Sequence, residues 1–160
     1  MEKINRFLLI LMIVVFLLTG CFNEPVNNET GKKQEEISII ISEDGIFVDN
    51  KGISEENKSA VYIGADIIYY EEGKGKTYGK GKKKDSHSKE EADKHTVITI
   101  AQPGTYRVSG KITYGQIAVD LGKESRENEK AVVNLILDNV EINCSVAPAI
   151  VVYNAYECGS

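Results

Sequence analysis

Tryptophan is absent from this chain of 160 residues, and cysteine and proline occur only three times each. Three cysteines are too few for a disulfide-dense mini-domain or for a four-cysteine zinc site. Positive charge is also in the minority, since 19 Lys and Arg stand against 24 Asp and Glu. This balance argues against nucleic acid as the main partner. The length allows one domain with a tail, and an apolar content of 42% excludes a wholly disordered chain.

Residues 1–20 have the features of a secretion signal. A positively charged start is followed by the apolar run Phe7–Leu18, which is too short for a comfortable transmembrane helix. The sequence Leu18-Thr19-Gly20-Cys21 comes next and resembles the lipobox of bacterial lipoproteins. The resemblance implies that Cys21 carries lipid with acyl chains such as palmitate, and that the mature protein sits on the outer face of the cell membrane. A plain amino-terminal anchor helix with a chance cysteine is the alternative.

The rest of the chain divides into a tether and one domain. Residues 21–36 contain almost no large apolar side chains, so we predict a disordered tether there. Residues 37–160 form the predicted domain. Within it, residues 71–95 are low in complexity and rich in charge, which predicts a mobile surface loop.

Short apolar runs bounded by Gly, Asn, Asp or Pro predict an all-β domain. No helical period is visible after residue 21. Two all-β arrangements fit this pattern: an antiparallel β-sandwich and a solenoid. From Thr96 onward Asn-Gly and Asp-Gly hairpin turns are nearly missing, and bends such as Asp138-Asn139 occur instead. The sequence therefore favours the solenoid mildly, with the sandwich as the alternative.

Four blocks, in this order, resemble a family of bacterial extracellular carbohydrate-binding domains. They are Pro103–Gly110, Gly115–Asp120, Leu135–Ile142 and Ala147–Ala155. The resemblance implies a right-handed parallel β-helix, binding of plant-type acidic or cellulosic polysaccharide, and bound calcium. Domains of that family continue through many further coils, so we expect only the N-terminal portion of such a helix here.

Candidate binding residues follow from chemistry and position. Calcium takes six to eight oxygen ligands, and Asp120 and Asp138 are the candidates among the acidic and amide groups at strand ends; both residue types also suit turns. Tyr114 lies in a turn-like stretch and is the candidate platform for stacking a sugar ring. The alternative for the strand tyrosines is that they cover the core.

Cys144 and Cys158 are candidates for a disulfide, which requires Cα atoms within about 7 Å; two small buried thiols are the alternative. No pairing of a nucleophile with a base is visible, and we expect both histidines to be solvated. The sequence thus predicts a non-catalytic, membrane-anchored polysaccharide-binding protein. An adhesin-type or structural surface protein without glycan binding is one alternative, and a calcium-dependent polysaccharide lyase is another.

Overall fold

The computed structural model describes residues 35–53, 59–74 and 79–160. They belong to one compact unit, Gln34–Ser160. The predicted signal at residues 1–20, the predicted lipidation site Cys21 and nearly all of the predicted tether lie outside the described residues. Within the described ranges, no helix is long and apolar enough to cross a membrane.

β-Strands are the main regular secondary structure of the described chain. The first four are β1 (Glu36–Ser42), β2 (Gly45–Val48), β3 (Lys51–Gly52) and β4 (Val61–Ile63). The remainder are β5 (Thr96–Ile100), β6 (Gly104–Ile112), β7 (Gly115–Asp120), β8 (Val132–Ile142), β9 (Ile150–Asn154) and β10 (Glu157–Gly159). One short helix, α1 (Lys89–Ala92), and 3₁₀ turns at Lys83–Asp85 and Lys123–Glu127 complete the described elements. The predicted all-β class is therefore right.

The strands form two mixed sheets. The large sheet has the order β10-β8-β6-β1-β2-β3, and the small sheet has the order β4-β5-β7-β9. From Thr96 onward successive strands alternate between the sheets, so that β6 pairs in parallel with β8 and β5 with β7. Before Thr96 the chain reverses on itself, and the pairs β1–β2, β2–β3 and β4–β5 are antiparallel.

The predicted right-handed parallel β-helix is wrong as a description of this fold. Two packed sheets of six and four strands, with both parallel and antiparallel pairs, come closer to the sandwich alternative. The physical reason lies in tight turns ahead of Thr96. Asp49 and Asn50 both have positive φ, 49° and 63°, as a two-residue hairpin turn requires. These turns reverse the chain within one sheet and prevent it from winding in one direction throughout.

A single apolar core joins the two sheets. Alternate residues of each strand point inward, as the period of two requires, and fill the space with Ile39, Ile41, Val61, Ile98, Ile100, Tyr106, Val108, Ile117, Val119, Val133 and Leu135. A second, smaller cluster packs on the outer face of the small sheet and contains Ile67, Tyr69, Ala92, Val97, Ala118 and Val146. The small sheet is thus covered on both faces.

Part of the charged segment belongs to that second cluster. Helix α1 begins after Ser88, whose hydroxyl oxygen accepts a hydrogen bond from the Glu91 main-chain N–H at 3.3 Å, as in a capping box. Its last residue, Ala92, is buried. The His87 N–H donates to the Tyr70 carbonyl oxygen at 2.9 Å. The second half of the segment therefore contains a short helix that contacts the small sheet, and its mobility stays a prediction.

Gly110 is the position at which the large sheet tolerates no side chain. It lies at a register shift between β6 and β8 with φ of 97°, and a Cβ there would overlap the main-chain carbonyl oxygen of Ile41.

We expect Gly110→Ala to lower the free energy of unfolding by at least about 2 kcal/mol in urea titrations. Gly122→Ala is the matched control, because Gly122 has a positive φ but open space around it. It should cost about 1 kcal/mol, and an equal loss in both variants would contradict this account.

Tyr106 makes the stability of the core sensitive to alkaline pH. Burial raises the pKa of Tyr106 to about 12, whereas a tyrosine in the unfolded chain titrates near 10. Tyr106 therefore keeps its proton to a higher pH in the folded state than in the unfolded state. The contribution of this difference to stability is complete below about pH 10 and is lost as the pH rises towards 12.

We expect the free energy of unfolding of the wild type to fall by about 1–3 kcal/mol across that window, measured by urea titration at stepped pH. The free energy of unfolding of Tyr106→Phe should fall by less across the same window. The variant also loses the 2.8 Å hydrogen bond that the Tyr106 hydroxyl donates to the Gln102 carbonyl oxygen, which costs about 1 kcal/mol at neutral pH. Parallel pH curves for the two proteins would show that Tyr106 is not responsible.

Candidate functional site

The outer face of the small sheet carries the polar side chains that its strands cannot place in the core. On β7, Ile117 and Val119 fill the main core, so Gln116, Ala118 and Asp120 occupy the opposite face. The segment 64–70, the segment 79–87 and the loop 145–148 lie over parts of this face. Two adjoining cavities remain between them and the sheet.

The first cavity, which we call the Asn154 cavity, has a volume of about 320 Å³. It combines carboxylates, cations, an amide and aromatic rings, contributed by Tyr62, Asp66, Asp120, Lys123, Arg126 and Asn154. Thr99 on β5 and Ala118 on β7 form part of its floor. The 3₁₀ turn at Lys123–Glu127 brings both cations to the cavity directly after β7 ends.

A short hydrogen-bond network fixes the polar groups of this cavity. One carboxylate oxygen of Asp120 accepts from the Asn154 side-chain amide at 2.7 Å and from the Gly122 N–H at 3.1 Å. The Arg126 guanidinium donates to the Tyr153 carbonyl oxygen at 2.9 Å. The side-chain oxygen of Asn154 is buried and has no hydrogen-bond partner in the described part of the chain.

The second cavity, the Gln116 cavity, has a volume of about 510 Å³. Its polar lining includes Tyr70, Lys80, Asp85, His87, Gln116 and Ser145. Gln116 is 1% exposed, and its side-chain NH₂ donates to the Pro148 carbonyl oxygen at 2.8 Å. Its amide oxygen has no hydrogen-bond partner among the described residues.

The two cavities meet at Ile68 and Tyr153, which line both of them. We call the two cavities together the groove. Burial raises the pKa of the Tyr153 phenol, and a hydrogen bond with the Ile68 backbone opposes this with a smaller effect. Tyr153 packs against the cluster on the outer face of the small sheet, at the middle of the groove.

His95 links helix α1 to loop 145–148, which lines the Gln116 cavity. Its Nε2 accepts from the Ser145 N–H at 3.2 Å, and its Nδ1 lies 3.0 Å from the Glu91 carbonyl oxygen. Since Nε2 accepts a hydrogen bond, the ring proton lies on Nδ1, which donates to the Glu91 carbonyl oxygen. We predicted a solvated His95, whereas its side chain in the structure links the charged segment to loop 145–148 through these hydrogen bonds.

Tyr114, the sugar platform predicted from the sequence, lies outside the groove lining. It is 53% exposed, and its ring meets the His95 ring edge to face with centroids 5.6 Å apart. Tyr114 as a sugar platform stays a prediction, and Tyr153 is the tyrosine that lines both cavities of the groove.

Asp120 and Asp138 are not brought together. Asp120 ends β7 in the small sheet, whereas Asp138 lies on β8 in the large sheet. There the Asp138 carboxylate accepts from Arg107 at 3.1 Å, and the same guanidinium pairs with Glu36 at 2.6 Å. The described residues contain no group of three or more His, Cys, Asp or Glu side chains arranged to hold a metal ion. Calcium binding stays a prediction.

Cys144 and Cys158 are free thiols in the structure. Cys144 packs against the cluster on the outer face of the small sheet, and Cys158 packs against the main core. Burial raises the pKa of the Cys158 thiol. The structure does not join the pair that the sequence suggested.

Sequence reasoning missed Gln116, Lys123 and Arg126 as site residues. For Gln116 a signal existed, because the alternation along β7 places it on the same face as Asp120. No such signal existed for Lys123 and Arg126, since their position depends on the 3₁₀ turn after β7.

Comparison with known proteins gives one match. A family model described as carbohydrate-binding domain-containing protein matches residues 94–158. This range runs from just before β5 into β10, and it contains β5, β7 and β9, which form the floor of the groove. No curated protein and no solved structure matches the chain.

Proposed function

We propose that this chain is a surface-displayed, non-catalytic polysaccharide-binding protein whose binding site is the groove on the small sheet. The observation that carries the proposal is the family match over residues 94–158, because the matched strands include those that form the groove floor. The groove provides a place for the ligand, and binding there needs no reacting group.

The chemistry of the groove suits a sugar chain. Sugar hydroxyls both donate and accept hydrogen bonds, and the Asn154 cavity offers acceptors in Asp66 and Asp120 and donors in Lys123 and Arg126. Tyrosine rings supply apolar surface for the C–H face of a pyranose. Volumes of about 320 and 510 Å³ fall within the range of about 300–1,000 Å³ that is usual for ligand sites.

The balance of charge favours a neutral polysaccharide over an acidic one. In the Asn154 cavity two carboxylates offset two cations, and in the Gln116 cavity Asp85 offsets Lys80. A polyanion is attracted by an excess of positive charge, and the described lining offers none apart from what protonated His87 would add. Of the two polymer classes that the resemblance implies, the cellulosic one fits better.

Cleavage of the polymer is not part of the proposal. A lyase mechanism would need a basic residue that takes up a proton beside the carboxylate of the sugar. Arg107 is the arginine that lies within a strand, and that strand belongs to the large sheet. Its guanidinium pairs with Glu36 and Asp138 there, away from the groove.

Asp120→Ala should weaken glycan binding. The substitution removes the acceptor that orients the Asn154 amide, and hydrogen bonds to charged groups contribute about 1.5–3 kcal/mol. We expect at least about a tenfold loss of affinity for soluble hydroxyethyl cellulose, measured by calorimetry with and without EDTA. Asp138→Ala, a carboxylate on the opposite sheet, is the matched control and should bind as the wild type does.

Three results would redirect the proposal. A folded wild type that binds neither neutral nor acidic polymers, with or without calcium, would support the adhesin-type alternative. Rising ultraviolet absorbance from unsaturated uronides on polygalacturonate would indicate a lyase. Loss of binding with EDTA alone would assign calcium a part in the site.

The lipobox-like sequence extends the proposal to location. Acyl chains on Cys21 would hold the domain at the outer face of the cell membrane, since each buried CH₂ contributes about 0.8 kcal/mol. We expect the wild type to incorporate labelled palmitate and to run as the processed form in the expressing bacterium, whereas Cys21→Ser should take up no label and keep its signal. Equal labelling of both proteins, or of neither, would rule out the lipid anchor at Cys21.

A further inference from the structure

We infer that the groove binds an internal stretch of one polysaccharide chain, with consecutive sugar residues in the Asn154 and Gln116 cavities and the chain crossing Tyr153 between them. This inference rests on the proposed function, and it adds the length and the direction of the bound segment.

Continuity of the lining is the first support. Ile68 and Tyr153 belong to both cavities, so no wall of separate residues divides them. A ligand that fills one cavity reaches the second by passing Tyr153. A site that binds only the end of a chain would instead be closed on its far side, by residues that line no second cavity.

The spacing along β7 is the second support. Gln116 lines one cavity, and Ala118 and Asp120 line the other. Four residues of an extended strand span roughly 13 Å at about 3.3 Å per residue. This distance exceeds the width of one pyranose ring, so a monosaccharide cannot contact both ends of the floor. Two or more linked sugars running parallel to β7 can.

The unsatisfied amides are the third support. The Gln116 and Asn154 side-chain oxygens are the buried side-chain atoms without a hydrogen-bond partner in the described chain, and one belongs to each cavity. In both residues the NH₂ group is committed to the protein, to Pro148 and to Asp120, which leaves the oxygen as the free acceptor. Successive sugars carry a hydroxyl donor for each. Both oxygens are shielded, so a small side-chain movement must accompany binding.

Tyr153 is the fourth support, because its side chain supplies an aromatic surface between the two cavities. It lies at the junction, and sugar C–H groups that pass from one cavity to the other must cross it. An aromatic side chain at this point offers apolar contact to the linkage between two sugars without selecting for either hydroxyl pattern.

Oligosaccharides of β-1,4-linked glucose with two, four and six residues test this inference by calorimetry. We expect the wild type to bind the hexasaccharide at least about tenfold more tightly than the disaccharide. Ala147→Phe fills the Gln116 cavity and Ala65→Phe fills the Asn154 cavity. Each should reduce the ratio of the two affinities towards one, while Leu137→Phe, an exposed site on the large sheet, should keep the wild-type ratio.

A wild type that binds the polymer yet binds all three oligosaccharides equally would overturn the inference and leave the proposed function intact. Binding of neither polymer nor oligosaccharide would instead remove the proposed function. If thermal scans show that the filled variants do not fold, saturation-transfer NMR on the wild type decides. Contact confined to one terminal ring of the hexasaccharide contradicts the inference, and contact across adjacent internal rings supports it.

Discussion

Strand β7 is the constraint on which the rest of this structure depends. It is buried from Gly115 to Val119 and pairs in parallel on both sides, with β5 and with β9. Its alternate residues therefore serve two purposes: Ile117 and Val119 complete the core between the sheets, and Gln116 and Asp120 form the floor of the groove. A shift of one residue in its register would exchange these two sets and abolish both the core and the site.

A bulge gives the site its polar centre. Between β7 and β9 the register shifts, so that Val119 faces Val152 while Asp120 faces Asn154. The extra residue is Tyr153. Bulges re-aim side chains in this way, and here the effect is to set the Asn154 amide beside the Asp120 carboxylate and to leave Tyr153 at the junction of the cavities. The same irregularity thus supplies the hydrogen-bond network and the aromatic contact.

The sequence predicted what depends on local pattern and failed where distant segments meet. The all-β class follows from short apolar runs, such as Thr96–Ile100, that are bounded by turn residues. The sheet arrangement was wrong because the hairpin turns were assessed from Thr96 onward, whereas the reversals occur earlier, at Asp49 and Asn50. Asp138 was paired with Asp120 because both end apolar runs. Successive strands alternate between the sheets, however, and that alternation separates them.

The walls of the groove are held differently from its floor, and this difference matters for a site that must admit a polymer. The floor is a strand packed on both faces. Over the Gln116 cavity, the wall at residues 79–87 has no buried side chain, and it is held by hydrogen bonds such as the one from the His87 N–H to the Tyr70 carbonyl oxygen. Regions with few buried apolar contacts open at low free-energy cost. A small movement of this wall can therefore expose the shielded oxygen of Gln116 without disturbing β7.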